Sequence, residues 1–286
     1  MLGFSNTIMK NTFTVAGVMG WPVAHSRSPL IHNHWIRQHH LNGAYALFPV
    51  NPLRLEAAIR GLQALGLAGC NITIPHKVQA MQHVDWVDPL AQRMGAINTI
   101  VVQADGALHG YNHDGFGYIA SLREAQPAWQ PNAGPIVVLG AGGAARAIVV
   151  SLMDQGAQAI RVLNRTFGKA QALAQEFGSV VSAYAWEERH EAISDCALLI
   201  NTTSLGMHGQ AVLEMELAQL PPTALVSDAI YVPLETPLLA QARARGHTTV
   251  NGLGMLLHQA RPAFHAWFGV MPEVSAELRQ AIIATL

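Results

Sequence analysis

Lysine is scarce in this chain. Among its 286 residues only Lys10, Lys77 and Lys169 are lysines, and arginine carries the remaining positive charge. Cysteine is scarcer still. Cys70 and Cys196 lie in separate strand-like runs, which excludes a disulfide framework or a CxxC redox motif and reads as two buried thiols. Charged residues make up 12% of the chain and the formal net charge is -1, so nothing favours nucleic acid or an anionic membrane surface electrostatically. Long apolar runs are missing: 136–139 and 148–150 are too short and too interrupted by Gly and Arg to span a bilayer. The N-terminus has no basic region followed by a long apolar segment, so a soluble, cytoplasmic protein is the expectation. Metal-ligand spacing is also lacking. His32, His34, His39 and His40 fall on one expected helix without a matching carboxylate or cysteine cluster, and no metal is expected.

What is present is an apolar fraction of 50%, enough for a large core and, at this length, two domains. Strand and helix signals alternate from the start: strand 14–19, helix 28–40, strand 44–50, helix 52–65, strand 68–74, a short helix after Lys77, helix 89–94, strand 97–102 and helix 114–123. Residues 126–135 are rich in Pro, Gly and Asn and read as a boundary crossing. Beyond them the rhythm resets: strand 136–139, helix 143–155, strand 159–163, helix 167–177, then short strands at 197–200, 224–227 and 248–250. This is the βαβ pattern of a parallel sheet covered on both faces. The stretches 255–268 and 275–286 read as helices.

Gly140-Ala141-Gly142-Gly143-Ala144-Ala145 stands between an apolar strand and a helix. Gly140 permits the tight turn, Gly142 lets the backbone approach a pyrophosphate, and Ala145 allows helix and strand to pack closely. A tight turn without a ligand is the plain alternative. The next strand ends in Asn164-Arg165-Thr166, with Lys169 three residues on and no carboxylate in the set. An NAD site usually has an acidic residue here to accept from the ribose hydroxyls. Arg165 and Lys169 would instead flank a 2′-phosphate, with Thr166 donating to it and Asn164 holding the ribose edge, so NADP is expected.

Lys77 closes the segment Asn71-Ile72-Thr73-Ile74-Pro75-His76-Lys77, where an apolar run gives way to a loop. Lysine loses its proton when desolvated and arginine effectively does not, so a chain that avoids lysine has chemical reason to keep one there. A solvated lysine after a strand is the alternative. Other polar groups stand at strand ends. Ser26 and Ser28 bracket a helix start and would hold a carboxylate, or simply cap the helix. Thr73 precedes Lys77. Asn98 interrupts an apolar run, and Asp114 stands before Gly115 at a helix start. A local backbone bond for Asn98 and an N-cap for Asp114 are their plain alternatives. Lys77 and Asp114 together would relay the proton of an alcohol while a hydride leaves the same carbon for nicotinamide.

The chain resembles the shikimate dehydrogenase family over nearly its whole length. The marks are His25-Ser26-Arg27-Ser28-Pro29, the Asn71–Lys77 segment, Gly95-Ala96-Ile97-Asn98-Thr99, Asn112-His113-Asp114-Gly115, the glycine loop, Asn164-Arg165-Thr166, Asn201-Thr202-Thr203-Ser204-Leu205-Gly206-Met207 and Gly252-Leu253-Gly254-Met255-Leu256-Leu257-His258-Gln259-Ala260. The resemblance implies an α/β fold of two domains: a substrate domain with a mainly parallel sheet (1–113), a Rossmann-type doubly wound NADP-binding domain (114–253), and C-terminal helices (254–286) packing back on the first. It implies reversible reduction of 3-dehydroshikimate by NADPH, on the route to chorismate and aromatic amino acids. Lys77 and Asp114 match the catalytic pair. Ser26 and Ser28, with Tyr231, match residues for the substrate carboxylate; Thr73, Asn98, Asp114 and Gln259 match those for the ring hydroxyls. Gly140, Ala141, Gly142, Gly143, Ala144, Asn164, Arg165, Thr166, Lys169, Thr202, Gly252 and Met255 match cofactor positions. The expected partner is a small molecule, not nucleic acid or membrane, and the expected state is monomer or homodimer.

Two positions depart from the family pattern. His113 replaces the usual Thr, and His76 stands where the family often has Phe. Two imidazoles near the Lys–Asp pair would change the local charge with pH or re-shape the pocket. Two other readings therefore stay open: a quinate/shikimate dehydrogenase or a paralogue acting on a related cyclic polyol acid, and a non-catalytic dinucleotide-binding sensor.

Overall fold

The structure is a computed structural model, and it describes residues 13–286. Lys10 and the N-terminal segment read above lie outside the described residues. The chain divides into two compact units. One takes residues 13–92, then Ala96–His113 and Ala260–Thr285; the other takes Arg93–Gly95 and Asp114–Gln259.

Among the described residues the first unit is built on six strands: β1 (Thr14–Gly20), β2 (Gly43–Pro49), β3 (Gly69–Ile72), β4 (Trp86–Val87), β5 (Thr99–Val102) and β6 (Leu108–Tyr111), in the order β2-β1-β3-β5-β6-β4. β2, β1 and β3 run parallel, β5 is antiparallel to both β3 and β6, and β4 is parallel to β6. The helices α1 (Ser28–Gln38), α2 (Leu55–Ala64) and α3 (Pro89–Met94) interleave with them. One face of α2 supplies Leu55, Ile59 and Leu62 at helical spacing, and these bury against Cys70, Ile72, Ile97 and Ile100. β4 and β6 were not foreseen: they pair only with each other and with β5 at one end of the sheet, where alternation is too short to stand out.

The second unit contains α4 (Asp114–Ala125), β7 (Ile136–Leu139), α5 (Gly143–Asp154), β8 (Ile160–Leu163), α6 (Phe167–Phe177), β9 (Val181–Tyr184), α7 (Arg189–Ala192), β10 (Leu198–Asn201), β11 (Leu225–Asp228), α8 (Pro237–Ala244), β12 (Thr249–Val250) and α9 (Gly252–His258). Its six strands are all parallel, in the order β12-β11-β10-β7-β8-β9. This is the Rossmann order, and its direction reverses between β7 and β10, where a crevice opens beyond the strand ends. Every residue of β7 is buried, as a strand covered on both faces requires. Ala145 is fully buried in the same core.

The loop 126–135 does not cross between units as expected; it joins α4 to β7 within the second. The expected helix 255–268 is two helices, α9 and then α10 (Ala260–Phe268), followed by α11 (Ala276–Ile283). Pro262 lacks the N–H that one continuous helix would need, and it fits the first turn of a new one. The contacts also pull apart. α9 lies against α4, whereas α10 lies against α1, β1 and β5. The return to the first unit thus begins at Ala260, six residues after the expected boundary at 254. α9 and α4 approach closely at glycine: a Cβ on Gly254 would stand 2.3 Å from Ser121 Oγ, and one on Gly117 2.6 Å from the Met255 carbonyl. In the first unit, Trp267 Nε1 donates to the Ile100 carbonyl at 3.1 Å and Trp35 Nε1 to the Glu273 carbonyl at 3.0 Å. Both bonds tie the C-terminal segment to the first sheet or its helix.

Candidate functional site

In the second unit β7 delivers the chain into Gly140 at a φ of 109°, where residues with a side chain are strained. A Cβ there would also stand 2.5 Å from Thr202 Oγ1. Thr202 directly follows β10, and its N and Oγ1 donate to the Leu139 carbonyl at 2.8 and 2.7 Å. The turn is thereby locked across the sheet's reversal point. Gly142 and Gly143 serve differently. Both are exposed, and nothing lies within 4 Å of where a Cβ would point. The backbone at the start of α5 is open to an approaching anion, which the helix N-terminus favours.

One groove brings together Gly140, Ala141, Gly142, Asn164, Arg165, Lys169 and Thr202, with Trp186, Thr203, Ser204 and Leu205 completing its lining. Asn164 Nδ2 donates to the Thr166 carbonyl at 2.9 Å, which shapes the turn into α6. Thr166 is the N-cap of α6, but its side chain makes no capping bond. Arg165 and Lys169 are exposed and have no ion-pair partner among the described residues. Two unpaired cations at a helix start oppose its dipole, an arrangement that a bound phosphate would reverse. Glycines open to solvent, unpaired cations and no carboxylate on the groove wall together fit a phosphorylated dinucleotide. Four expected cofactor residues lie off that lining: exposed Gly143, Ala144 and Thr166, and Met255, which packs against the core of the second sheet. Gly252 is off it too, buried at the start of α9, where a Cβ would meet the Ala229 carbonyl at 2.1 Å.

Two residues that sequence reasoning passed over support this groove. Trp186 follows β9, a strand the pattern did not reveal, and Arg189 lies over its ring at 5.4 Å. Asp228, at the end of β11, is 1% exposed and accepts from Asn201 Nδ2 at 3.1 Å through both oxygens and from Thr236 Oγ1 at 2.8 Å. Burial pushes its pKa up, opposed by the bonds from Ile230, Asn201 and Thr236. Asn201 passes this anchorage to the groove wall, donating to the Leu205 carbonyl and accepting from Thr203 N and Oγ1.

In the first unit the candidate substrate residues rest on a buried polar frame. Tyr45, at 4% exposure, donates to Asn71 Oδ1 at 2.6 Å, and Asn71 Nδ2 donates to the Asn98 carbonyl and to Thr99 Oγ1. Asn98 Oδ1 accepts from Thr99 Oγ1 at 2.9 Å and from His113 N at 3.0 Å. The backbone bond of the Asn98 side chain is therefore not local: it reaches fifteen residues along the chain and holds the residue just before Asp114. Burial raises the Tyr45 pKa, so the phenol stays a donor. His32 stacks on Tyr45 with ring centroids 4.1 Å apart, and burial lowers its pKa to about 3, opposed by Asn71. It is a neutral core side chain. Neither Tyr45 nor His32 carries a local signal in the sequence, because only the sheet brings them to Asn71.

Ser28 is the first helical residue of α1 and not its N-cap, which is Arg27. Ser26 Oγ accepts from Ser28 N at 3.3 Å, so the two serines form one turn. Arg27 braces that turn through the His25 carbonyl at 2.7 Å and the Thr285 carbonyl at 2.5 Å. Thr73 and Lys77 are half-buried beyond the end of β3. His76 is wholly buried, its Nε2 2.8 Å from the Val50 carbonyl, so it faces inward and does not wall an open pocket. His113 is half-buried and stacks on Tyr111 at 6.0 Å. Asp114 opens α4, Tyr231 follows β11, and Gln259 ends α9 with its Nε2 on the Leu256 carbonyl at 3.1 Å; all three are half-buried in the second unit. Among the described residues no group of three His, Cys, Asp or Glu is placed to hold a metal, and no helix is long and apolar enough to cross a membrane. Cys70 and Cys196 are free and buried, and burial pushes the Cys196 thiol up to about 12.

Residues 18–100 match the family described as shikimate dehydrogenase substrate binding domain, residues 125–224 the shikimate / quinate 5-dehydrogenase family, and residues 252–281 the shikimate 5′-dehydrogenase C-terminal domain. A shikimate dehydrogenase (NADP(+)) of Paramagnetospirillum magneticum is 51% identical over 276 residues, 96% of this chain and 100% of that one. A crystal structure of shikimate 5-dehydrogenase from Thermus thermophilus, in complex with NADP(H) and shikimate, is similar with a TM-score of 0.85 and 35% identity, over 96% of this chain and 100% of that one. The quinate dehydrogenase of Corynebacterium glutamicum in complex with NAD has a TM-score of 0.88 and 28% identity, over 96% of this chain and 100% of that one.

Proposed function

This chain belongs to the shikimate dehydrogenase family, and from that premise we propose that it interconverts 3-dehydroshikimate and shikimate with NADP, a step toward chorismate and the aromatic amino acids. The observation that carries the cofactor half is the groove at the strand-order reversal, where open glycines meet Arg165 and Lys169 without a carboxylate. Gly140, Ala141, Gly142, Gly143 and Ala144 would hold the pyrophosphate. Asn164, Arg165, Thr166 and Lys169 would hold the adenosine and its 2′-phosphate, with Thr202, Gly252 and Met255 toward the nicotinamide half. When bound, NADP accepts the hydride in oxidation and, once reduced, donates it.

In this reading the unit of β1–β6, with α10 and α11, supplies Ser26, Ser28, Thr73, Lys77 and Asn98 to the substrate, and the unit of β7–β12 holds the cofactor. Ser26 and Ser28, with Tyr231, would take the substrate carboxylate. Thr73, Asn98 and Gln259 would orient the ring hydroxyls. Lys77 and Asp114 are the catalytic pair. Neutral Lys77 takes the hydroxyl proton as the carbinol carbon is oxidised, and the ammonium returns it to the carbonyl oxygen in reduction. Asp114 would orient the Lys77 amino group toward the reacting oxygen and accept from the ammonium once the proton has moved. The enzyme would work in the cytoplasm, as a monomer or homodimer.

A second reading, action on quinate, is supported by the likeness to the Corynebacterium quinate dehydrogenase. The deciding experiment is a steady-state panel of shikimate and quinate against NADP and NAD. The main reading expects turnover of shikimate with NADP and little with the other three pairs. Comparable rates on quinate would move the assignment to the second reading, and no turnover on either acid with cofactor binding intact would sink both.

A further inference from the structure

The loop that carries Lys77 leaves its apolar residues in solvent: Ile74 is 71% and Val78 65% exposed, and Pro75 is exposed as well. His76 is the exception, at 0% exposure. Its Nε2 lies 2.8 Å from the Val50 carbonyl. A carbonyl oxygen only accepts, so Nε2 carries the hydrogen. Nδ1 is buried without a hydrogen-bond partner. Val50 directly follows β2, and its N donates to the Gly20 carbonyl, the last residue of β1, at 3.1 Å. β2 and β3 are the two neighbours of β1 in the sheet. One imidazole thus ties the loop leaving β3 to the segment leaving β2, one residue before Lys77. On the other side, the Lys77 carbonyl accepts from Ile97 N at 2.9 Å.

We propose that His76 is a positioning residue for the dehydrogenase reaction: its hydrogen bond to Val50 fixes the backbone from which Lys77 reaches the substrate hydroxyl. The inference rests on the reading of Lys77 as the proton-transfer group. The bond has no counterpart in a phenyl ring, which would fill the same space and leave the Val50 carbonyl without its donor. Glutamine places an amide N–H at about the reach of Nε2. A lysine aimed from an anchored backbone loses no orientation in the transition state, whereas one on a loosened loop must be re-ordered each turnover.

The test compares His76→Phe and His76→Gln with the parent enzyme, each assayed well below its own melting temperature so that all are fully folded. His76→Phe is expected to lower kcat for shikimate oxidation about tenfold with the KM for NADP unchanged, and His76→Gln to recover most of the loss. A second readout does not depend on turnover. With only three lysines in the chain, acylation of Lys77 can be followed site by site by mass spectrometry. His76→Phe should acylate faster at Lys77 and unchanged at Lys169, and His76→Gln should match the parent. Parent-like kcat and labelling in His76→Phe would overturn the proposal, as would equal impairment of both variants. If the parent fails to oxidise shikimate, the functional reading falls, and the labelling arm alone decides whether His76 anchors the loop.

Discussion

The two units solve the problem of holding a polar ligand by opposite means. In the first, the candidate substrate residues stand on side-chain hydrogen bonds that are themselves buried, Tyr45 to Asn71, Asn71 to Thr99 and Thr99 to Asn98, and on the half-buried bond of His76 to Val50. In the second, the groove is made largely of backbone and exposed cations: Gly140, Gly142, Arg165 and Lys169. The difference follows from the ligands the two would take. A small ring with several hydroxyls must be oriented atom by atom, which needs donors and acceptors locked in place by a second layer. A dinucleotide offers charge along its length, so a helix N-terminus and a pair of flexible cations suffice.

The largest expected effect probes the chemistry in the first unit. Lys77→Met should lower kcat by about 10²–10⁴-fold while NADP still binds, as measured by steady-state kinetics and cofactor fluorescence quenching. Parent-like turnover would remove Lys77 from proton transfer. Next comes the backbone of the second unit. Gly140→Ala should cost about 1–3 kcal/mol from the strained φ alone, more from the clash with Thr202, and weaken NADP binding. Denaturant unfolding and titration measure both, and an unperturbed variant would mean the turn is not held as described. Arg165→Ala should raise the KM for NADP about tenfold and leave that for NAD unchanged. Equal losses for the two cofactors would argue that Arg165 does not read the 2′-phosphate.

The smallest effect lies on the surface of the first unit. Asp85 pairs with Arg60 at 2.5 Å and accepts from Leu108 N at 2.8 Å. The Arg60 hydrogen bond, then that from Leu108, holds its carboxyl below the usual range. A depressed pKa contributes stability above the ordinary carboxylate pKa, and the contribution disappears as pH falls through the lower folded value. Asp85→Asn should therefore cost less than about 1 kcal/mol near neutrality, because the pair is partly solvated. The gap to the parent in thermal melts should close in acid; a gap that persists there would assign the effect to packing.

The candidate nucleotide groove was the more legible of the two candidate sites. Its glycines, its strand before and its helix after are neighbours in sequence, and the missing carboxylate was visible from Asn164-Arg165-Thr166 alone. Trp186 was hidden because β9, at the edge of the sheet, has the mixed run Val181-Ser182-Ala183-Tyr184 in place of the buried apolar run of β7. In the first unit, Lys77 stood out by rarity and context. The inward turn of His76 did not, since a histidine beside a lysine looks the same in sequence whether it faces the core or a ligand. Ser28 as a helix cap was a misreading of this kind: the residue type suits a cap, but the chain enters the helix one residue earlier, at Arg27.

The sequence by itself determined the elements whose cause is local: the alternation of strands and helices, the glycine turn after β7, the helix starts at proline, and the cation set after β8. These depend on residues within a few positions of one another. Tertiary structure alone decided the strand order that opens the crevice, the packing of α10 against α1, β1 and β5, and the buried frame of Tyr45, Asn71, Thr99 and Asn98. Each of these joins residues far apart in the chain, and their partners exist only once the sheets have formed.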